Sequence, residues 1–198
     1  MKKRLNAEMR KPDILKHFFD LILEEGIEGA SIGKVAKKMK IHPSLIIHYF
    51  ENKDNMIVAL VDYVMKEYGK LLLRLKIETN DLEKRLERLV EIFFSDEWYR
   101  MTDISGDYSV ISMSFRSAKI HARVRELYTQ FIKIIVNEFT PMIEAGVISL
   151  KDPRRGAEMV ISIVEGYRHF KHFYVDEAEA EGYRQDMMRS VLAMLRKS

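Results

Sequence analysis

The chain has 198 residues, 47% of them hydrophobic and 32% charged, so it is long enough to fold around a core of its own. Its longest run without Asp, Glu, Lys or Arg is the ten residues Ile41–Phe50, while a membrane-spanning helix needs roughly 20 apolar residues. The absence of cysteine excludes disulfides, thiolate metal sites and cysteine nucleophiles. Charged residues rather than an apolar segment follow Met1, so we predict no secretory signal, no membrane partner and a cytoplasmic location.

The excess of positive charge lies at one end of the chain. Residues 1–55 carry 11 Lys and Arg against 8 Asp and Glu, a net charge of +3, whereas residues 56–198 carry 22 of each. Such an asymmetry is compatible with a nucleic-acid contact, but it predicts one only when a binding motif accompanies it.

The spacing of apolar residues predicts an all-α fold of about nine helices. Proline and glycine are few, and no segment alternates apolar and polar residues over the length of a strand. A less regular stretch is expected at Ser95–Gly106 and a bend near Ser117–Ala118. The predicted helices span Pro12–Glu25, Ile32–Met39, Pro43–Phe50, Lys53–Glu78, Leu82–Phe93, Asp107–Phe139, Asp152–Val175 and Ala178–Leu195, with N-caps at Ser31 and Asn52 and a left-handed stop at Gly26.

Residues 31–53 have the spacing of a helix-turn-helix. Two short helices are joined by a three-residue turn, and Pro43 stands at the first position of the second helix, where proline is well tolerated. Helical periodicity places Ile46, Tyr49 and Phe50 on the inner face, and Ser44, Leu45, Ile47 and His48 on the outer face. Outward aliphatic side chains suit the thymine methyl group, so Leu45 and Ile47 are predicted base readers. The surrounding lysines would contact phosphate; they are Lys34, Lys37, Lys38, Lys40 and Lys53.

These residues carry a family resemblance. About residues 8–65 resemble the N-terminal domain of TetR-family transcriptional repressors, and the stretch Leu45–Phe50, with Asp96–Trp98 and Val164–Tyr167, further resembles the choline- and betaine-related subgroup. The positions that match the TetR pattern are Glu25-Gly26, Ser31, Val35-Ala36, Ile41-His42, His48-Tyr49-Phe50, Asn52-Lys53-Asp54 and Met56.

The resemblance implies a homodimer that binds a double-stranded, pseudo-palindromic DNA operator. Three positions depart from the usual pattern: Lys40 replaces a turn glycine, His42 a Ser or Thr cap, and Ile47 a tyrosine. Lys40 is therefore expected to adopt a left-handed conformation, which costs about 1 kcal/mol or more. The predicted DNA-binding residues are Ser31, Lys34, Lys40, His42, Pro43, Ser44, Leu45, Ile47, His48, Tyr49 and Lys53.

The resemblance also implies a small-molecule effector bound in a larger C-terminal domain. We predict a helix-turn-helix domain over residues 1–52 and a ligand-binding and dimerisation domain over residues 53–198, with no cofactor and no metal. The predicted ligand-binding residues are Trp98, Tyr99, Met101, Asp103, Tyr108, Met113, Phe131, Glu165 and Tyr167, with Asp107 and Phe115 also available. The predicted dimerisation residues are Val160, Ile163, Gly166, Phe170, Leu192 and Leu195.

The expected mechanism is derepression by the effector. A dimer must hold its recognition helices about 34–36 Å apart to read successive major grooves, so a tilt of the helix Lys53–Glu78 would lower operator affinity. An enzyme is not expected, because the chain has no GxxxxGK[ST], GxGxxG, GxSxG or HExxH motif. A helical adaptor that binds only protein remains an alternative, although it does not explain outward Leu45 and Ile47 among lysines.

Overall fold

The computed structural model describes the backbone of residues 2–74, 77–100 and 104–196, and the side chains of residues 10–63, 66, 77–99, 104 and 106–196. Within these ranges the regular secondary structure is helical throughout, which confirms the predicted all-α class. No helix in this part of the chain is both long enough and apolar enough to cross a bilayer. The ten helices described are α1 (Lys2–Gly29), α2 (Ile32–Met39), α3 (Pro43–Phe50), α4 (Lys53–Arg74), α5 (Leu82–Phe93), α6 (Asp96–Arg100), α7 (Ile104–Ser114), α8 (Ala118–Glu144), α9 (Pro153–Phe173) and α10 (Ala180–Arg196).

The chain divides into two compact units. The first comprises Met1–Lys70 and Thr102–Leu127, and the second comprises Leu71–Met101 and Tyr128–Ser198. The predicted functional boundary between residues 52 and 53 stays a prediction.

The core of the first unit is built from α1 to α4 with the beginning of α8. Ile14, Phe18, Ile46, Ile57 and Ile120 are each fully buried in one apolar cluster. Since α3 contributes Ile46 and Phe50 to this cluster, the inner face of the helix is fixed in the unit. The position of the outer face then follows from helical geometry.

α7 packs closely on α1 at a glycine. A Cβ atom placed on Gly106 would lie 2.5 Å from the ring of Phe19, a distance that atoms of two side chains do not reach. A larger residue at this position would require the Phe19 ring or the helices themselves to shift, so the present contact between α1 and α7 depends on the missing side chain.

The predicted caps at Ser31 and Asn52 and the left-handed conformation of Lys40 are confirmed. Ser31 Oγ accepts a hydrogen bond from the backbone N–H of Lys34 at 3.3 Å, and Asn52 Oδ1 accepts one from the N–H of Asn55 at 2.9 Å. Gly26 has the predicted positive φ, 73°, but it kinks α1 and does not end it, because the helix continues to Gly29. Lys40 has φ 54° and ψ 41°, the left-handed conformation expected for a residue in the place of a turn glycine.

Several predicted helix ends are wrong. α1 begins at Lys2 rather than at Pro12, because the residues before the proline are good helix formers and outweigh its preference for a first turn. α4 ends at Arg74, and residues 77–79 are not helical, so the predicted continuation to Glu78 fails. The predicted bend near Ser117–Ala118 is instead a break between α7 and α8, where the Ser117 carbonyl accepts the N–H of His121 at 2.9 Å and so opens α8.

The core of the second unit is formed by α5, α6, α9, α10 and the later part of α8. Leu86, Phe139, Val160 and Leu195 are at most 1% exposed. A bidentate pair joins α5 to α8, since Arg85 donates to the two carboxylate oxygens of Glu138 at 2.7 and 2.8 Å. Arg196 joins α10 to α5 through Glu83 and Glu87, at 2.7 and 3.0 Å.

Candidate nucleic-acid interface and effector region

The turn between α2 and α3 is closed by backbone hydrogen bonds. The N–H of Lys40 donates to the carbonyl of Lys37 at 3.2 Å, and the N–H of Ile41 donates to that of Ala36 at 3.0 Å. The left-handed residue Lys40 thus ends α2, as glycine commonly does, and costs about 1–2 kcal/mol in a residue with a side chain. Pro43 follows at the first turn of α3, as predicted. The segment therefore has the local geometry of a helix-turn-helix.

The outer face of α3 is exposed within the described structure. Ile46 is 0% and Phe50 4% exposed, whereas Ile47 is 48% exposed and Ser44 and His48 are exposed too. An isoleucine left half in water beside a buried one is the arrangement expected of a helix that reads DNA with its free side. The predicted orientation of this face is confirmed for Ser44, Ile47 and His48.

Two residues of α3 are less accessible than the remaining outer residues. Leu45 is half-buried rather than fully outward, which corrects its prediction, because its position borders the inner face. Tyr49 is also half-buried and packs against the core cluster, with its ring centroid 6.4 Å from that of Phe50. The Tyr49 side chain is therefore oriented by packing before any DNA is bound.

His42 and Ser44 are linked to each other at the start of α3. The N–H of Ser44 donates to His42 Nδ1 at 3.3 Å, and Ser44 Oγ lies 2.7 Å from the same nitrogen. Because a backbone N–H is always the donor, Nδ1 must be unprotonated, and the neutral ring carries its proton on Nε2. The exposed Nε2–H is then available to donate to a phosphate oxygen.

Three of the predicted phosphate-binding lysines are held by the end of α1. Lys38 pairs with Glu24 at 2.6 Å, and Lys34 pairs with Glu25. Lys53 donates to the carbonyl of Ile27 and is half-buried, so it completes the end of α1 by binding a carbonyl with no helical partner. The prediction that Lys53 simply contacts phosphate overlooked this structural contact, which joins residues 26 positions apart.

Lys37 and Lys40 are placed differently. Both are exposed and, among the residues that the structure describes, they form no ion pair. They leave their charge available to an external anion. Lys37, which is not among the predicted DNA-binding residues, is therefore as well placed for phosphate as Lys40.

The predicted ligand-binding residues do not all lie in one unit. Tyr108 and Met113 belong to the first unit, where Met113 packs against the core cluster. Met101 and Asp103 lie outside the described residues. The second unit holds Trp98, Tyr99, Phe131, Glu165 and Tyr167.

Two aromatic groups occupy the second unit. Trp98 lies with its ring centroid 5.2 Å from that of Phe131 and 5.6 Å from that of Phe93. The ring centroid of Tyr167 lies 4.9 Å from that of Phe94, 5.4 Å from that of Tyr183 and 5.7 Å from that of Tyr99. These separations lie within the range of favourable aromatic pairs. The sequence pattern identified four of these rings as ligand candidates and missed Phe93, Phe94 and Tyr183.

The hydroxyl of Tyr167 is buried and has no hydrogen-bond partner among the described residues, while the residue as a whole is 1% exposed. Burial raises the pKa of Tyr167 to about 12, opposed by the positive charge of Arg184. Burial also raises the pKa of Tyr99, whose hydroxyl donates to the Phe93 carbonyl at 3.2 Å. Both tyrosines are thus neutral hydrogen-bond donors near neutral pH.

The charged residues around these rings come from α6, α9 and α10. Lys171 Nζ lies 5.6 Å from the centroid of Tyr99 and 6.0 Å from that of Tyr167, and it binds Asp96 at 2.9 Å. The Arg168 guanidinium lies 5.9 Å from the Tyr99 centroid. Lys171 was not predicted as a site residue, although its spacing of four residues from Tyr167 places both on one face of a helix.

The predicted dimerisation residues separate into buried and exposed ones. Val160 and Leu195, which are 1% and 0% exposed, pack in the core of their own unit. They are therefore not accessible to a second copy, which corrects their assignment to the dimer interface. Ile163 and Leu192 are half-buried, and Gly166 and Phe170 are exposed. The apolar stripe was read correctly as helical, but periodicity alone does not tell which of two apolar faces turns inward.

A second apolar stripe of α9 is exposed at all its positions except the half-buried Ile163. Its members recur at intervals of four and three residues, the spacing of a helix that packs along another helix. Phe170 is 50% and Phe173 65% exposed, and a Cβ on Gly166 would meet no atom within 4 Å. The stripe consists of Met159, Ile163, Gly166, Phe170 and Phe173, and Tyr174 adjoins it.

Comparison with protein families gives matches at both ends of the chain. Residues 14–60 match the family described as bacterial regulatory proteins, tetR family. Residues 81–196, more than half of the chain, match the family described as Tetracyclin repressor-like, C-terminal domain.

Individual relatives are more distant. The HTH-type transcriptional regulator BetI of Stenotrophomonas maltophilia is 24% identical over 122 residues, which cover 61% of this chain and 60% of that protein. The chain thus spans about three-fifths of the length of the curated relatives it matches. A TetR regulator from Haloarcula marismortui superposes with TM-score 0.78 at 19% identity, covering 94% of this chain and 99% of the other. A regulator from Saccharomonospora viridis, solved in complex with choline, has TM-score 0.77 at 18% identity, with coverage of 93% and 96%.

Proposed function

Because the chain belongs to the TetR family of bacterial transcriptional regulators and carries its helix-turn-helix DNA-binding domain, we propose that it is a homodimeric repressor in the cytoplasm, released from a pseudo-palindromic operator by a small-molecule effector. The observation that carries the proposal is the exposed outer face of α3, with Ile47 half in water directly beside fully buried Ile46. The TetR family consists of transcriptional regulators and is not a class of enzymes.

On DNA, the residues of α3 divide between base edges and phosphates. Ile47 and the accessible part of Leu45 contact thymine methyl groups, and His48 and Ser44 offer hydrogen bonds in the major groove. The Ser31 hydroxyl and the His42 Nε2–H donate to phosphate oxygens at the two helix starts. Lys37 and Lys40 supply charge from the α2 side, and Tyr49 adds a phenol at the edge of the face.

The homodimer forms through the exposed stripe of α9. A stable interface requires an apolar centre, and Met159, Phe170 and Phe173 supply one that water would otherwise cover. Gly166 lets the helix of the second copy approach closely at the middle of the stripe. Two copies related by a two-fold axis would present two α3 helices, and the operator would need half-sites about one DNA turn apart.

The effector binds in the second unit beside the aromatic groups around Trp98 and Tyr167. Ring faces with nearby carboxylates suit an organic cation, and the Saccharomonospora viridis regulator of the same fold was solved with choline, which is such a cation. An organic cation is therefore the effector class we propose for this chain.

Coupling between DNA binding and effector binding runs through α8. Its first residues hold α4 by polar contacts, since Arg123 binds Asp62, Lys119 binds Asn55, and Ser117 just before the helix binds Asp54 at 3.2 Å. The same helix carries Phe131, a member of the Trp98 group. A ligand that displaces Phe131 would act on the helix that holds α4, and by linkage the operator and the ligand would weaken each other's binding.

A fluorescence-anisotropy titration of the chain with labelled DNA from its own upstream region tests the proposal. We expect specific binding that falls steeply between about 50 and 200 mM salt and that exceeds binding to a scrambled duplex. Equal affinity for both duplexes would leave the alternative of an adaptor that binds only protein. Adding a ligand that binds the chain should release the specific duplex, and unchanged operator affinity would refute the release mechanism.

A further inference from the structure

The ammonium group of Lys171 is surrounded by the kinds of groups that bind organic cations in proteins. It lies within 6.0 Å of the centroids of both Tyr99 and Tyr167, and its nitrogen is 2.9 Å from Asp96 Oδ1. Two aromatic faces and one carboxylate around a cation combine the ring quadrupole with a full negative charge. The Lys171 side chain is only 26% exposed, so these contacts replace most of the water around it.

The two rings are held in place independently of Lys171. Tyr99 is fixed by its hydroxyl, which donates to the Phe93 carbonyl at 3.2 Å. Tyr167 lies edge-on to Phe94 and stacks on Tyr183, with interplanar angles of 63° and 23°. A cage whose walls are already positioned loses little conformational entropy when a ligand enters.

Lys171 is one of several charged residues that lie around the two rings. The carboxylates of Asp96, Glu165 and Glu181 act on Tyr99 or Tyr167, as do the cations Arg168 and Arg184. Lys171 is the third cation of this group. If its side chain swings out, Asp96 loses its contact with this ammonium group, and an incoming cation supplies a positive charge in its place.

We infer that Lys171 is an internal ligand of a cation site formed by Tyr99, Tyr167 and Asp96, and that an effector with an ammonium group binds by displacing it. The inference rests on the proposed function and specifies how its effector site is regulated. Competition from a tethered lysine lowers the apparent affinity for the external cation by the fraction of time that the site is free. Displacement also breaks the pair of Lys171 with Asp96, which ties α9 to α6 within the second unit.

The buried hydroxyl of Tyr167 is an independent observation in favour of a ligand. It has no hydrogen-bond partner among the described residues although the side chain is fully buried. Buried polar groups nearly always have a partner, and those that lack one call for a ligand, a water or a rearrangement. An effector that joins its ammonium group to a hydroxyl or carboxylate can supply the missing partner.

Isothermal titration calorimetry of the full chain with tetramethylammonium chloride, without DNA, measures the affinity that tests the inference. Lys171→Met keeps a stem of similar length and removes the competing charge, so we expect it to bind tetramethylammonium at least about tenfold more tightly than the unaltered chain. Lys171→Arg keeps the charge and should bind as weakly as the unaltered chain. Lys151→Met, at an exposed lysine outside the site, is the matched control and should change nothing.

The neutral analogue tert-butanol separates charge from shape. If Lys171→Met binds tert-butanol as tightly as tetramethylammonium, the variant has only opened an apolar cavity, and the inference is wrong. It is equally wrong if Lys171→Met shows no gain over Lys151→Met. Adding Asp96→Asn to Lys171→Met should abolish the gain, because the carboxylate is the counter-charge.

Circular dichroism establishes that each variant is folded, and Lys171→Gln replaces Lys171→Met if the latter is not. The outcomes also separate the two proposals. If the chain binds operator DNA but Lys171→Met shows no gain in cation affinity, the proposed function stands and the inference of an internal ligand is wrong. If Lys171→Met shows the gain but the chain does not bind DNA, the cation site stands and the repressor assignment is wrong.

Discussion

The segment α2 to α3 and the aromatic region of the second unit are built in opposite ways. In the first, the positions that matter lie within about two dozen neighbouring residues, and their orientation follows from the helix period and a few caps such as Ser31. In the second, Tyr99 and Lys171 meet across more than 70 residues of sequence. A DNA-reading helix works by presenting one free face, whereas a ligand site requires several helices to converge. The first kind of site can be predicted from the local sequence pattern, whereas the second depends on how the helices pack.

The largest effect should come from the two neighbouring isoleucines of α3. Ile46→Ala removes a fully buried side chain and should lower the free energy of unfolding by about 2–5 kcal/mol. Ile47→Ala, at a half-exposed position, should change it by less than about 0.5 kcal/mol. Chemical denaturation of both variants measures the difference. Similar losses in the two would mean that the outer face of α3 is covered, and the assignment of a free reading face would fail.

Alkaline pH should destabilise the chain through Tyr167. Its pKa is raised by burial to about 12 in the folded state, against 10.0 for an ordinary tyrosine. Unfolding therefore releases protons at high pH, so the stabilisation is complete below pH 10 and is lost as the pH rises through about 12. Since one pKa unit corresponds to about 1.4 kcal/mol, the loss is about 2–3 kcal/mol. The free energies of unfolding of the unaltered chain and Tyr167→Phe should diverge across that window, because only the unaltered chain loses this contribution; a constant difference between them would contradict the pKa shift.

DNA affinity should respond differently to changes at Leu45 and Lys40. Leu45→Ala removes a contact with base edges and should cost about 1–3 kcal/mol against the preferred sequence while altering which sequence is preferred. Lys40→Ala should weaken binding to all sequences and reduce the slope of log affinity against log salt by about 1. Anisotropy titrations on a panel of duplexes at two salt concentrations distinguish them. If Lys40→Ala changes the sequence preference, the residue reads bases and not phosphates.

The contrast between the two regions explains which predictions succeeded. The caps at Ser31 and Asn52 depend on nearest neighbours, so the sequence was enough to predict them. The left-handed Lys40 was expected because the family resemblance places a turn glycine at that position. The second role of Lys53 was not predictable, because the carbonyl that it binds belongs to Ile27 on another helix.

A similar limit applies to the apolar stripes of α9. Val160 and Phe170 both belong to apolar positions of the same helix, yet one is buried in its own unit and the other is half exposed. The inward face of α9 is chosen by contacts with other helices of the unit, and an amphipathic pattern with two apolar sides does not specify that choice.

Two tyrosine hydroxyls should differ in their effect on stability. Tyr99→Phe removes a hydrogen bond to the Phe93 carbonyl and should lower the free energy of unfolding by about 0.5–1.5 kcal/mol at neutral pH. Tyr167→Phe removes a buried hydroxyl without a partner in the described structure, so it should be neutral or stabilising by about 1 kcal/mol. The same denaturation experiment measures both. A clear loss for Tyr167→Phe would show that its hydroxyl already has a partner, and with that the argument for a ligand at this atom would disappear.

The smallest effect concerns the acidic end of α1, which binds lysines that DNA would also bind. Glu24→Gln frees Lys38 from its ion pair, and because an exposed pair of this kind contributes at most about 1 kcal/mol, operator affinity should rise by no more than about fivefold. The gain should shrink at high salt, since both the pair and the phosphate contact are screened. Glu97→Gln, an exposed glutamate of the second unit, removes the same charge elsewhere and serves as the control. If the two variants raise affinity equally, the effect is one of net charge, and α1 does not compete with DNA for Lys38.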